Sequence, residues 1–232
     1  MDDAEFDGFA DEYRTLHQAN IAITGEEPEF FANYKIKALR RIAAKQGVAV
    51  ARILDFGSGI GNSVPEFRRS FPDAELTCAD VSQRSLDRAE QAFPGAMRCV
   101  RIADNQVPTE AATFDLTFSA CVFHHIPHEE HVPWLRDLLR VTRPGGLLSV
   151  FEHNPLNPLT VRAVNTCPFD ANAKLIQARE FARRCREAGW LRPRVRFHLF
   201  FPRIAAALRP IEPAMAWFPL GAQYSVTAVR GG

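Results

Sequence analysis

The sequence predicts an α/β domain: a doubly wound, largely parallel sheet with helices on both faces, preceded by a helical N-terminal cap. Three observations carry this. Short apolar runs without polar alternation recur along the chain, as strands buried on both faces do. Segments of helical length and period separate them, which makes the connections right-handed crossovers between parallel neighbours. The first run, "ARILDF" at 51–56, passes into "ILDFGSGIGNSV" (53–64), with glycines at 57, 59 and 61. Glycine is entropically costly to fix, so this turn needs a backbone free of side chains.

Each element has its own signal. Residues 1–50 read as helical; in "EPEFFANYKIKALRRIAAKQG" apolar side chains at 30, 31, 36, 39, 42 and 43 keep helical spacing, and Gly47 follows as a stop. After the strand at 51–56 come helix-like "NSVPEFRRSF", strand-like "AELTCAD" (74–80) and helix-like "SQRSLDRAEQAF" (82–93), for which Ser82 suits the N-cap. "AMRCVRIAD" and "TFDLTFSACVFH" (113–124) read as strands. A helix through "WLRDLLRVT", a turn at "RPGG" and a strand "GLLSVFEH" (146–153) follow. "NPLNPLTVRAVNTCPFD" is turn-rich, with two Asn-Pro pairs. "QAREFARRCREAGW" is a helix and "RPRVRFHLFF" a strand. Within "FHLFFPRIAAALRPIEPAMAWFPLGAQY" most residues read as core strand and packed connector, with "RPIEPAMAWF" a lid over an acceptor with a hydrophobic portion. The closing "AQYSVTAV" returns late enough to lie antiparallel beside its predecessor.

Composition narrows the function classes. The 232 residues are 47% hydrophobic and 24% charged, enough for a full core. A net charge of +1 steers the protein toward neither nucleic acid nor an anionic membrane surface. The arginines at 179, 183, 184, 186, 192, 194 and 196 are not interleaved with aromatic stacking residues, so no nucleic-acid partner is expected. Cysteines 78, 99, 121, 167 and 185 are odd in number and contain no C-x-x-C pair, which favours a reducing compartment. The N-terminal "MDDAEFDGFADEY" lacks a basic-then-apolar signal, and no apolar run approaches the roughly 20 residues of a membrane span. A cytoplasmic protein without stable membrane insertion is the expectation.

The glycine turn has two known uses: dinucleotide binding and binding of S-adenosylmethionine. Three details favour the second. The spacing is G-x-G-x-G, and Asn62 stands where a dinucleotide fingerprint wants its last glycine. Asp55, at the end of the first strand, would repel a pyrophosphate but favour an ammonium group, directly or through water. Asp80 ends the second strand, 21 residues after Gly59, where an acceptor suits the hydroxyls of a ribose. Asp104, in "IADNQVP" after the third strand, is placed to accept from an adenine amino group.

"CVFHHIPHEEH" carries histidines at 124, 125, 128 and 131. No metal is expected there, because neighbours on a strand point to opposite faces and a 124/128 pairing would need a continuous helix across Pro127. His124 or His125, at the end of the fourth strand, suits a general base taking a proton from an acceptor hydroxyl or amine. Glu152, with His153 and Asn154, ends the fifth strand and rivals them for that role.

Together "ILDFGSGIGNSV", "CADVS", "IADNQVP", "FDLTFSACVFHHIP" and "LLRVTRPGGLLSVFEHNP" resemble the class I S-adenosylmethionine-dependent methyltransferases, of the type-11 kind, over about residues 50 to 155. The resemblance implies a Rossmann-like sheet of seven strands with the last antiparallel, and S-adenosylmethionine as cofactor, leaving as S-adenosylhomocysteine. It places Gly57, Gly59 and Gly61 around the methionine part, Asp80 on the ribose, Asp104 with Ala103 at the adenine, and the backbone of Ser119 and Ala120 near the amino acid moiety, with Asp55, Ser58 and Val81 also among the cofactor-binding residues. In such proteins the N-terminal helices fold over the site, which makes Tyr13 and Lys35 candidates for closing it, Lys35 against the cofactor carboxylate. The implied organisation is an N-terminal helical cap at 1–50, a cofactor-binding core at 51–153, and a substrate-side cap with sheet-completing strands at 154–232, all in one domain. A small-molecule acceptor and a monomer or homodimer are expected. The rival readings are a non-catalytic S-adenosylmethionine-binding scaffold and a nicotinamide-dependent oxidoreductase.

Overall fold

The computed structural model describes residue 26 and residues 28–232. Helix α1 (Pro28–Lys45) precedes strand β1 (Arg52–Phe56), α2 (Val64–Ser70), β2 (Glu75–Asp80), α3 (Gln83–Ala92), β3 (Arg98–Arg101) and β4 (Phe114–Ala120). Then come α4 (His131–Val141), β5 (Thr142–His153), α5 (Pro158–Thr166), α6 (Ala178–Glu187), β6 (Leu191–His198), α7 (Glu212–Met215) and β7 (Gln223–Val229). The strands form one sheet in the order β3-β2-β1-β4-β5-β7-β6. β7 runs antiparallel to both of its neighbours, and the other pairings are parallel. Among the described residues no helix is long and apolar enough to cross a membrane.

Side chains alternate across this sheet, so each strand feeds two cores. Leu54 and Phe56 join Trp134, Leu138, Phe181 and Trp190 under α4 and α6. Ile53 joins Ile36, Leu39, Phe67 and Leu86 under α1, α2 and α3, together with Phe118 and Phe151. Fully burying one such side chain contributes about 1.5–3 kcal/mol, so both faces are held tightly. The alternation also fixes the site: Asp55 shares a face with Ile53 and therefore turns toward α1.

Four local differences from the sequence reading have physical causes. The fourth strand stops at Ala120 rather than running to 124, because Cys121 takes a left-handed φ of 58° and a tight 3-10 turn follows over Phe123–His125. "RPGG" is not a separator: β5 already starts at Thr142, and the segment bulges, the register jumping from Phe114↔Thr142 to Leu116↔Leu147. The turn-rich stretch after β5 holds α5, since the side chain of Asn157 caps it by accepting from Thr160 N–H and Pro158 fits the first turn. Between β6 and β7 the connector is not packed core: Ile204 is 97% and Trp217 77% exposed. That connector joins the end of β6 to the start of β7, so it lies along the carboxyl edge of the parallel strands.

Candidate active site

The carboxyl ends of β1, β2, β4 and β5 lie level, with Phe56 opposite Ala79 and Ser119, and Ala120 opposite Phe151. Here the sheet must release its backbone polar groups, and the glycine turn does so. Gly57 N–H donates to Ala79 O at 2.8 Å, tying the turn to β2. Gly57 has φ +72°, and a Cβ there would lie 2.3 Å from Val122 Cγ2. Gly59, at φ +53°, differs: a Cβ there would meet nothing within 4 Å. Packing explains the first glycine; open space beside the second is room for a ligand. Gly61 closes the turn against α3 through Ala89.

Asp80 is buried and holds this turn. Its Oδ2 accepts from Gly59 N–H at 2.8 Å and its Oδ1 from Ser82 N–H at 3.0 Å. Ser82 caps α3 by accepting from Ser85 N–H. A carboxylate can accept more than two hydrogen bonds. Asp80→Asn keeps one acceptor oxygen but removes the charge. It is expected to leave the fold in place and to weaken cofactor binding about tenfold, by analogy with the loss of a charge-assisted hydrogen bond, measurable by calorimetry with S-adenosylhomocysteine.

The buried side-chain oxygens without a hydrogen-bond partner among the described residues include Asp55 Oδ2, on the α1 face of the sheet, and Ser119 Oγ, on the opposite face. Such atoms cost about 1–3 kcal/mol each unless something pairs with them. Burial and the charge of Asp80 push the Asp55 carboxyl up to about 7, and Lys35 only partly opposes them. Lys35 comes from α1, is buried, and places its Nζ 3.6 Å from Cys121 Sγ. Burial opposes ionisation of that thiol, but Lys35 and His153 outweigh it and bring Cys121 down to about 7. Tyr34, one residue earlier, hydrogen-bonds Gln223 at the start of β7. α1 therefore packs directly on the strand ends and brings the charge of Lys35 within reach of both Asp55 and Cys121. Tyr13 lies outside the described residues.

On the other side Glu152 organises the turn after β4. Its Oε1 accepts from Val122 N–H at 3.0 Å and Phe123 N–H at 2.8 Å, and its Oε2 lies 2.6 Å from His124 Nδ1. Asp170, in the short 3-10 turn Pro168–Asp170, brings Oδ1 to 3.5 Å from His124 Nε2 and 3.4 Å from His125 Nε2. Burial disfavours charge on His124, yet Glu152 and Asp170 overcome it and raise the imidazole to about 10. His125 goes the opposite way: burial and the neighbouring His124 charge press it down to about 4, so it stays neutral at physiological pH. Both oxygens of Glu152 are engaged in holding this turn. His131 is structural as well, its Nε2 near Phe123 O and Ile126 O and its Nδ1 2.9 Å from Arg184 Nη1. Asn154 donates to Pro219 O and Gly221 O and so fastens the β6–β7 connector to the end of β5.

The remaining predicted residues fall around this frame. Ser58 follows Gly57 in the turn, its N–H donating to Ala79 O, and Val81 is core. Ala120 ends β4. Ala103 and Asp104 are exposed on a tight turn beyond β3, where Asp104 and Asn105 have φ of 52° and 55°. Sequence reasoning missed Tyr34, Cys121, Gln223 and Asp170. Only Cys121 had a signal, its place directly after Ser119 and Ala120. The other three reach the site through packing of distant segments.

Residues 53–146 match the family described as a methyltransferase domain. Over 153 residues, 66% of this chain and 59% of the relative, the sequence is 31% identical to the trans-aconitate 2-methyltransferase of Azoarcus sp. strain BH72. It is 32% identical over 114 residues, 46% of this chain and 39% of the relative, to the mitochondrial 2-methoxy-6-polyprenyl-1,4-benzoquinol methylase of Caenorhabditis elegans. The chain thus spans less than two thirds of the length of these curated relatives. Its fold is similar to that of a methyltransferase from Thermotoga maritima, with a TM-score of 0.67 at 16% identity over 98% of this chain and 99% of that one.

Proposed function

The chain belongs to the class I S-adenosylmethionine-dependent methyltransferase family, and from that premise we propose that it transfers a methyl group from S-adenosylmethionine to a small acceptor with an apolar or lipid-like portion. The observation that carries this reading is the orphaned buried Asp55 Oδ2, on the sheet face that Lys35 approaches, together with a glycine turn in which Gly59 has open space where a Cβ would stand. A cofactor with an ammonium group and a ribose supplies donors there. Gly57, Gly59 and Gly61 border its methionine part, Asp80 its ribose, Ala103 and Asp104 its adenine, and Lys35 its carboxylate. The sulfonium is already a strong electrophile, so the protein must align acceptor, methyl carbon and sulfur and exclude water. His125, at the accessible edge of this turn, is the residue placed to orient a hydroxyl or amine acceptor by accepting its hydrogen bond, its low basicity suiting it to that more than to holding the proton, while His124 and Glu152 hold its turn in place.

The apolar character of the acceptor is supported by Leu156, Leu159, Ile204, Leu208, Ile211 and Trp217, all exposed beyond the carboxyl edge of the sheet. The nematode relative is named for a polyprenyl benzoquinol. Thermal shift with S-adenosylmethionine, then radiolabelled methyl transfer screened over phenols, lipids and sugars, tests the reading. A rise in melting temperature with turnover of a phenol or lipid is expected. Stabilisation by NAD alone, or cofactor binding with no acceptor methylated, would overturn it.

Asp55 adds a pH signature. The native carboxyl keeps its proton to about pH 7, against 3.8 ordinarily. Folding stability without cofactor therefore falls as pH rises between those values, and the penalty remains above them. An ammonium ligand prefers the ionised carboxylate, so affinity for S-adenosylhomocysteine is expected to fall roughly tenfold from pH 8 to pH 6. In Asp55→Asn that dependence disappears, affinity is low throughout, and the cofactor-free melting temperature rises at pH 8 but not at pH 4. A pH-independent wild-type affinity would remove Asp55 from the ammonium site.

A further inference from the structure

We infer that His124, His125 and Asp170 form a binding site for a divalent, zinc-type metal ion at the carboxyl edge of the sheet, next to the proposed methyl-transfer site. The sequence argued against metal here on the premise that 124 and 125 lie on a strand. They do not. The strand ends at Ala120, and the 3-10 turn over Phe123–His125 brings the two imidazole rings to 4.2 Å between centroids. Asp170, contributed from 45 residues further along, completes the set, and the three donor atoms lie within 4.8 Å of one another.

Geometry, donor chemistry and charge agree. A tetrahedral zinc ion with bonds of about 2.0–2.1 Å places its ligand atoms about 3.4 Å apart. Asp170 Oδ1 is 3.4 Å from His125 Nε2 and 3.5 Å from His124 Nε2. Two imidazole nitrogens and one carboxylate oxygen suit zinc and its first-row neighbours, whereas calcium and magnesium take oxygen ligands. His124 also has the outer partner that metal-bound histidines use: its Nδ1 faces Glu152 Oε2 at 2.6 Å, which fixes the ring and directs Nε2 at the site. Glu152 and Asp170 place two buried carboxylates around the two imidazoles, and a dication balances their charge.

Three protein ligands leave a coordination position open, and the accessible side is that of His125, whose side chain is 11% exposed against 1% for His124. There an ion would polarise an acceptor oxygen and lower its pKa, the proton passing to solvent before the oxygen takes the methyl and the sulfonium leaves as a thioether. In the loaded chain His125 is a ligand, and the ion replaces it in handling that proton. This chemical role rests on the methyltransferase reading; the binding site does not.

Cobalt chloride titrated into the chelator-stripped full chain, without cofactor, tests the site independently of methyl transfer. One Co²⁺ per chain with the visible absorption of a tetrahedral or five-coordinate complex is expected, displaced by zinc. Loss of an outer-shell partner typically costs about 10–100-fold in metal affinity. Asp170→Asn and His125→Gln, which remove ligands, are therefore each expected to cost more than about 100-fold. Absence of stoichiometric binding, or binding unchanged in either folded variant, would overturn the assignment. Should the variants fail to fold, X-ray absorption of the zinc-loaded wild-type chain decides it: a shell with two imidazoles and a carboxylate supports the site, and any other shell sinks it. Cobalt binding without methyl transfer would leave the metal site standing and the functional reading fallen.

Discussion

Glu152→Ala is expected to lower the unfolding free energy by about 3–5 kcal/mol, the range for removing one partner of a buried ion pair. The reason is the number of groups that depend on one carboxylate. Val122 N–H, Phe123 N–H and the His124 imidazole all face Glu152, whose relative exposure is 1%. Deleting it leaves two buried amides without their acceptor and the His124 imidazole with Asp170 alone opposite it, and the low local dielectric makes each loss costly. Glu152→Gln retains an acceptor oxygen for the two amides and loses only the charge opposite His124, so its loss should be smaller. The cycle with His124→Ala separates the terms: that substitution should cost much less in the Glu152→Ala background than in the wild-type chain. Urea unfolding reads all four proteins. A loss below about 1 kcal/mol for Glu152→Ala would show that the turn after β4 is held by packing alone.

Gly59→Ala is expected to abolish cofactor binding, by at least about 100-fold or 2.7 kcal/mol, while the fold survives. The added methyl meets no protein atom within 4 Å, so its folding cost is the left-handed backbone at φ +53°, about 1–2 kcal/mol. In the proposed complex the same methyl stands where the cofactor approaches the Gly59 backbone. Gly57→Ala has the reverse profile. Its methyl would lie 2.3 Å from the buried Val122 side chain, so the protein destabilises before the question of ligand arises. Thermal denaturation with calorimetry on S-adenosylhomocysteine distinguishes the pair. Full affinity in a folded Gly59→Ala protein would move the cofactor away from this turn.

The strand-helix alternation was legible because it is a local pattern. The run of Ile53, Leu54 and Phe56 in β1, and the three-residue step from Ile36 to Leu39 in α1, are periodic whatever they pack against. The Ser82 cap and the glycine stop at Gly47 are equally local. Misreadings arose where one residue overrode the pattern. Cys121 adopts a left-handed φ that ends an otherwise apolar run, and nothing in a cysteine advertises that. Asn157 and Pro158 serve a turn and a helix start equally well, so their signal was ambiguous. "RPGG" carries the residues of a turn and is accommodated as a bulge, because β5 pairs with β4 on both sides of it.

Residue order alone was enough for the sheet, the glycine turn and the acids at successive strand tips, since each follows from short-range periodicity and from residues fixed to strand ends. Which side chains meet was settled only by packing in three dimensions. Lys35 reaches Cys121 across 86 positions, Tyr34 reaches Gln223 across 189, and Asp170 joins two histidines 45 and 46 residues away. A carboxylate's role as structural clasp, base or ligand depends on the neighbours that packing supplies, and those contacts have no period along the chain from which to read them.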